Sequence, residues 1–415
     1  MLSKKFYWLQ ISFMKIKNRF AIRVSFFFVL TILAENISAQ QNETKNNTVS
    51  GYVFFDSNLN GLKDTNEDGI KNIVLSDQVN VVLTDATGFY QINNSSGYGI
   101  IFISMPDGYT AKSFWQKINF QQNSASINFP LTKIKPVSSF SFIQASDTHI
   151  SEKSLDRMNK FRAAVDSVKP DLIIITGDLV KDALRVPETE AKGYYDLFQN
   201  EVQKIKQPVW LVPGNHEIFG IERHLSLVSP KNPLYGRNMY RSYFGPDYYS
   251  FNYGGVHFIG LNSLEFEDLW YYGRIDSVQL EWLKKDVAVL SPSTPVVTFQ
   301  HVPFYSGGMS ISPYEPDGLG RTLEKEKGVI QFRHIVSNAQ EVLSILKNNN
   351  YPLALAGHYH FQQKFSLEGV QTRFEQTAAV IGPSEQGIIK MPSGITLYHV
   401  TNGKIDEGKF IPLDK

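Results

Sequence analysis

The residues of this chain that could do chemistry sit at the polar endings of short apolar runs. The endings "ASDTH" (145–149), "TGD" (176–178), "PGNHE" (213–217), "FQHVP" (299–303) and "AGHYH" (356–360) supply Asp147, His149, Asp178, Asn215, His216, His301, His358 and His360. Five of the nine histidines in 415 residues fall in these endings. Neutral imidazole is the commonest metal ligand among side chains, and carboxylate and amide oxygens complete a mixed donor set. Taken singly, a strand-end Asp is more often a helix cap and a strand-end His more often structural. Five such endings in one region point to a shared metal site.

The elements that must position these residues alternate. "FSFIQAS" (140–146) and "DLIIITGD" (171–178) are continuous apolar runs, as strands buried on both faces are. Residues 154–168, 190–205 and 277–288 have the apolar spacing of amphipathic helices. The "PVWLV", "PVVTF" and "PLALA" runs each lead into another polar ending. Strand–loop–helix repetition of this kind predicts an α/β domain over 140–402. In open α/β sheets ligands gather at the carboxyl ends of strands, so the five endings can converge.

The N-terminal third reads differently. Residues 1–39 carry Lys4, Lys5, Lys15, Lys17, Arg19 and Arg23, then the apolar run 26–34, then Ala39. That order is expected of a signal peptide, with Met14 as an alternative start, and the run is shorter than the ~20 residues of a spanning helix. The reading predicts an exported, periplasmic or secreted protein with no membrane span after cleavage. The chain contains no cysteine, which excludes disulfides and thiolate chemistry. Its net charge is +1 with the basic N-terminus included, so the remainder is mildly acidic and unsuited to unaided nucleic-acid binding.

From 49 to 131 short β-branched and aromatic runs alternate with Gly, Asp and Asn, which predicts a small all-β sandwich, followed by a linker over 132–139. Within it "DSNLNGLKDTNE" (56–67) has calcium-loop spacing, with Asp56, Asn58, Asn60, Asp64 and Glu67 offering oxygens and Gly61 the sharp turn. It follows a strand rather than a helix, so it is no EF-hand, and a solvated polar turn is the plainer alternative.

The ordered set D-x-H, G-D, G-N-H-E, a lone strand-end His and G-H-x-H resembles the calcineurin-like metallophosphoesterase superfamily over about 140–400. The resemblance implies a four-layer α/β/β/α sandwich preceded here by the small β module. It implies one metal held by Asp147, His149, Asp178 and His360, and a second held by Asp178, Asn215, His301 and His358, with Asp178 bridging. Two divalent or mixed-valence ions (Mn, Fe or Zn) would suit these ligands. Such a pair about 3.5–4 Å apart activates a water for in-line attack on phosphorus. His216, beside Asn215, would act as general acid, with Glu217 either orienting it or capping a helix. Lys181 stands where purple acid phosphatases carry a tyrosine, so a tyrosinate–iron chromophore is not expected.

The expected function is therefore hydrolysis of phosphate mono- or diesters in a small phosphorylated substrate. The alternative is a catalytically inactive fold used for binding or cell-surface adhesion. A narrower alternative makes the β module the functional part, with "SFWQKINF" as a weak aromatic platform. On an extended segment His358 and His360, two residues apart, would project to one side and reach both ions. His257 and His399 read as structural, as do His224 and His334 at the insertions 220–250 and 303–330. Arg241, Tyr305 and Arg321 are candidate substrate contacts in the same insertions.

Overall fold

The computed structural model describes residues 47–414, apart from 94, 96, 122, 308–321, 326–328, 387 and 388. The expected signal segment and Arg321 lie outside the described residues. No helix among the described residues is long and apolar enough to cross a membrane.

The N-terminal module is a sandwich of two sheets. One pairs β1 (Thr48–Phe55) with β4 (Phe89–Ile92), β8 (Ser124–Ser126) and β9 (Phe129–Lys133), with β6 (Tyr109–Thr110) on the far side of β9. The other runs β3 (Val81–Leu83), β2 (Val74–Ser76), β5 (Ile100–Ile103), β7 (Trp115–Lys117). Alternation in β1 sends Val49 and Val53 into a core shared with Leu75, Ile101 and Phe129. The 56–67 loop leaves β1 directly. Asp56, almost buried, accepts backbone N–H groups from Asn60 (3.2 Å) and Gly61 (2.9 Å), and Glu67 accepts from Ser57 (2.8 Å) and Asp64 (3.3 Å).

The larger region has two sheets packed face to face. In the first, β10 (Ser139–Ala145), β11 (Leu172–Ile175) and β12 (Val209–Leu211) are parallel, and β25 (Gly394–Thr401) closes against β10 in the opposite sense. A last strand at 409–412 pairs with β25, so this sheet runs past 402. The second sheet has the order β13 (Tyr249–Tyr253), β14 (Val256–Gly260), β17 (Pro295–Phe299), β20 (Asn350–Ala356), β22 (Arg373–Gln376), β21 (Gln363–Phe365). Phe142 and Phe258 meet edge-on between the sheets at 5.7 Å, and Gln144 donates to the Ala356 carbonyl at 2.8 Å. The other face of β10 and β11 carries Ile143, Ala145, Ile173 and Ile175 against Met158, Phe161 and Val165 of the helix Leu155–Val168 and against Tyr195 and Phe198 of Glu188–Val202. Helices Ser277–Val287 and Ala339–Leu346 contribute Trp282, Leu283 and Val342 to the core of the second sheet. The order is helix, sheet, sheet, helix. Both faces of each central strand are buried, which is why these runs read as continuously apolar.

The β module is seated on the larger region rather than tethered to it. Its core is continuous with that of the second sheet. Asn252 N–H donates to the Met105 carbonyl at 2.8 Å, and the Gly254 and Gly255 N–H groups donate to Asp107. Phe114 packs on Trp210 and Tyr249, each with centroids 5.0 Å apart, while the Trp115 ring covers Gly245. The residues proposed from sequence as an open aromatic platform are thus partly spent on this seam.

Arg241, expected from sequence to meet substrate, faces inward instead. It is buried, clamps Asp247 through two bonds (Nε–Oδ1 2.8 Å, Nη2–Oδ2 3.0 Å) and lies 3.5 Å over the Tyr98 ring of the module. Gln78 of the module donates to the same carboxylate at 3.0 Å. Arg241 joins the two parts and is no substrate contact. Tyr305 also packs inward, against Phe374 (4.8 Å), with its hydroxyl accepting from Gln340.

Burial alone would raise the Asp247 carboxyl, but Arg241 and the hydrogen bonds hold it down to about 2. Its contribution is therefore complete above its ordinary value of 3.8 and is lost as pH falls through about 2. Removing one partner of a buried pair costs about 3–5 kcal/mol. Arg241→Met should lose stability on that scale in urea unfolding at neutral pH, with the deficit narrowing toward pH 2. A pH-independent deficit, or one below about 1 kcal/mol, would contradict the pairing.

Candidate metal centre

The chemistry-bearing residues follow five strand ends. Asp147 and His149 follow β10, Asp178 follows β11, and Asn215 and His216 follow β12. His301 follows β17, and His358 and His360 follow β20. The backbone turns sharply at these points. Asp147, His149, Asp178, His358 and His360 have φ of 54°, 38°, 50°, 76° and 61°. Left-handed geometry in non-glycine residues costs about 1–3 kcal/mol each and persists only where the surroundings over-determine it. Here backbone bonds do so: Asp147 N–H to Gly177 O, His149 N–H to Asp178 O and Gly357 N–H to His301 O are all 3.0 Å.

The expectation that His358 and His360 share an extended segment is wrong. Tyr359 N–H closes on the Gly357 carbonyl at 2.9 Å, a three-residue turn centred on His358. Each histidine is aimed by its own positive φ, and His358 N–H is tied to Asp147 Oδ2 at 3.2 Å.

Two groups of donors result. Asp147, His149, Asp178 and His360 bring one ligand atom each within 4.8 Å of one another, and Asp178, His301 and His358 do likewise. One oxygen, Asp178 Oδ2, lies 3.5 Å from His149 Nε2 and 3.2 Å from His301 Nε2, so it faces both groups. Its companion Oδ1 accepts the His216 N–H at 3.0 Å, which fixes the carboxylate plane. Asn215 Oδ1 joins the second group, 3.2 Å from His301 Nε2.

The donors fit a cation. His301 Nδ1 lies 2.8 Å from the Thr176 carbonyl, which only accepts, so this nitrogen carries a proton and Nε2 is the atom turned to the centre. Nε2 faces two oxygens that only accept, Asp178 Oδ2 and Asn215 Oδ1, so a positive charge, a proton or a metal ion, belongs there. In the first group His149 Nε2 and His360 Nε2 are 3.1 Å apart, and Asp147 Oδ1 is buried without a hydrogen bond, 3.2 Å from His360 Nε2. Buried acceptors this close need positive charge between them, which protons on the rings or a bound cation supply; against burial, Asp147 raises His360 as Asp178 raises His301.

The electrostatics agree. Burial resists ionisation of Asp147, but His360 holds its carboxyl below the ordinary range; burial is likewise outweighed at Asp178, chiefly by His301 and His216. Burial pushes His149 down to about 4 and His358 well below its usual value, which favours the neutral, ligating imidazole. Burial would also lower His301, but Asp178 outweighs it and lifts His301 to about 9.

His216 stands beside the first group, its ring 4.5 Å from that of His149 and edge-on to it. Its Nδ1 lies 2.6 Å from the Lys181 carbonyl, so Nδ1 is the protonated nitrogen and Nε2 is turned toward the centre, 3.9 Å from Asp178 Oδ2. Glu217 does not orient His216. Its carboxylate accepts the N–H groups of Gly214 (2.6 Å) and Val180 (2.9 Å), bracing two donor loops, and burial followed by the Asp178 charge pushes it up to about 8.

His257 is buried between Asn252 and Asp286, while His399 is exposed beside Asp406 and His224 lies on the surface. His334, read from sequence as structural, reaches the second donor group: its Nδ1 is 2.7 Å from His358 Nε2. No motif marks it, since it lies 24 residues before His358, just beyond the 303–330 insertion.

Close approach explains the glycines of the endings. A Cβ on Gly214 would stand 2.1 Å from Asp178 Oδ1, and one on Gly357 1.9 Å from Ser146 Oγ. Gly193, on a helix, has nothing within 4 Å of such an atom. Gly214→Ala should therefore fold yet lose bound metal, while Gly193→Ala should keep it. Elemental analysis of the purified variants checks this, and wild-type metal content in Gly214→Ala would contradict the packing.

The chain is similar to known proteins over both of its parts. Residues 140–362 match the family profile described as calcineurin-like phosphoesterase, and 57–134 match that of the N-terminal domain of calcineurin-like phosphoesterase. A probable cyclic nucleotide phosphodiesterase of Fibrobacter succinogenes is 25% identical over 234 residues, 54% of this chain and 74% of that protein. A serine/threonine-protein phosphatase of Danio rerio is 24% identical over 52% of this chain and 60% of its own length. A probable glycerophosphodiester phosphodiesterase of Arcobacter nitrofigilis is 27% identical over 39% of this chain and 56% of its own length. Among solved structures, a dimetal phosphatase from Danio rerio aligns with a TM-score of 0.44 at 14% identity, over 68% of this chain and all of that one. With its matched region spanning more than half of the sequence, the chain belongs to the calcineurin-like phosphoesterases, hydrolases acting on phosphoric ester bonds.

Proposed function

We propose that the chain hydrolyses small phosphate mono- or diesters at a dinuclear centre. The observation that carries this reading is the pair of donor groups sharing Asp178 Oδ2. Asp147, His149, Asp178 and His360 would hold one ion, and Asp178, Asn215, His301 and His358 the other. Bound there, two transition-metal ions (Mn, Fe or Zn by donor type) would supply Lewis acidity toward phosphoryl oxygens and a water acidic enough to attack phosphorus in line. The chain's own contributions follow from its geometry. Asp178, its plane set by the His216 N–H, keeps the two donor groups in register. His216, oriented by the Lys181 carbonyl, presents Nε2 to the site and in its protonated form delivers a proton to the leaving oxygen. Relatives named as phosphodiesterases and as a phosphatase support the ester class and leave both ester types within it.

Asp178→Asn and His216→Ala should fail differently. The first loses metal and activity together. The second keeps its metal and loses about 10²- to 10⁴-fold in kcat, most for alkyl or sugar leaving groups and least for a nitrophenol. Metal analysis beside kcat across a leaving-group series checks this. Equal slowing of every ester by His216→Ala would remove its role as general acid.

In the module, the 56–67 loop is assigned to calcium. Supporting this are its ligand spacing, the left-handed Gly61 (φ 76°) and Asp56 held by the N–H groups of Asn60 and Gly61. The full chain should melt higher in calcium than in chelator once transition metal is held constant, and Asp56→Ala should erase the difference. Superimposable melts would leave a polar turn.

A further inference from the structure

We infer that His334 is a positioning residue: it receives the Nε2 proton of His358 and thereby turns the Nδ1 lone pair of His358 toward the second donor group. This inference rests on the proposed metal ligation by His358.

His358 Nδ1 lies 3.1 Å from His301 Nε2, and His358 belongs with Asp178 and His301 to the second group, so Nδ1 is the nitrogen on the metal side. A neutral imidazole has one N–H. If Nδ1 is a donor to metal, the proton must sit on Nε2, where it faces His334 Nδ1 at 2.7 Å. His334 Nδ1 is then the acceptor. The two rings lie nearly parallel, 27° apart with centroids at 4.9 Å.

The reverse arrangement is also possible in the metal-free site. His334 can donate to His358 Nε2, with the proton of His358 then on Nδ1, toward His301 Nε2. Both arrangements carry the same number of protons, so loading the second group is a tautomer exchange along His334 and His358, without net proton release from the pair. Any side chain that packs but cannot accept breaks the metal-side arrangement.

The backbone around His334 is built to hold it there. Val336 N–H donates to the Pro303 carbonyl at 2.9 Å, two residues beyond His301, and Ser337 N–H donates to Gly273 O at 2.8 Å. Asn338 bonds the Ile275 backbone in both directions, at 3.0 and 2.9 Å. A Cβ on Gly273 would fall 2.3 Å from the Ile335 carbonyl, so the segment presses closely on its neighbour. Residues 335–338 are thereby tied to the segment that follows His301 and to Gly273 and Ile275.

Hydrogen-bond partners of metal-ligating histidines typically contribute about 10- to 100-fold in metal affinity. His334→Leu, which fills space without accepting, should release one of the two ions at about 10- to 100-fold lower chelator concentration, with the other ion held as in the wild type. His334→Gln, whose Oε1 can accept, should restore most of that retention. Ions per chain are read by elemental analysis along a chelator titration, with melting temperature followed beside it. Should His334→Leu not fold, ¹⁵N-histidine spectra of the zinc-loaded wild type report the same point: His358 Nε2 should carry the proton and His334 Nδ1 should not. Wild-type retention by His334→Leu, equal losses in Leu and Gln variants, or a proton on His334 Nδ1 in the zinc form would each overturn the inference. A wild-type chain that binds fewer than two ions would instead sink the dinuclear reading beneath it.

Discussion

Two carboxylates, Asp147 and Asp178, stand almost wholly buried at the meeting edge of two sheets, with five imidazoles crowded round them. Like charges this close and this poorly solvated repel strongly, and positive charge is drawn in beside them, as the lift of His301 to about 9 by Asp178, against burial, shows. A cation resolves the conflict, and most of the surrounding structure is arranged to keep the conflict in place until one arrives. The Glu217 carboxyl braces the Gly214 and Val180 backbone on either side, and the Thr176 carbonyl fixes the His301 tautomer. Left-handed turns at five donor positions hold local strain that the sheets beneath must carry.

The sheets can carry it because they are clamped from both sides. Each central strand buries both faces, one against its partner sheet and one against helices. Rigid strands ending at one level give loops whose ends are fixed, and short loops on fixed ends have few alternatives. The β module extends this rigidity. Through Gln78, Asp247, Arg241 and Tyr98 it adds a buried polar joint to the helix and strand that follow the 220–235 segment. A buried pair of this kind adds orientation more than net stability, since desolvation offsets much of its attraction. The module thus bears on how the second sheet is held, although it supplies none of the clustered donors.

Much of this was legible in the sequence. Buried strands showed as unbroken apolar runs, since both of their faces meet protein. The helices showed by period, and the donor residues by recurring at the ends of strands. The likeness of five such endings to one family's pattern named the ligand set before any geometry. What was not legible lay in long-range contact. Arg241 looked like an anion contact because an arginine in a Gly- and Tyr-rich insertion has the same local signature whether it faces solvent or a buried Asp247. His334 looked structural because no spacing rule links it to His358. Glu217 looked like a partner of His216 because adjacency in sequence was the only relation visible, whereas its carboxylate turns back on Gly214.

The sequence by itself determined which atoms could bind a metal and which elements would carry them, because side-chain chemistry and apolar period are local properties. Tertiary structure alone decided the aim of those atoms. Whether His358 and His360 diverge depends on positive φ values imposed by bonds to Asp147 and His301. Which nitrogen of His301 or His358 is free depends on a carbonyl or a histidine far away in the chain. Tautomer and turn are set by partners that only folding brings within hydrogen-bonding distance.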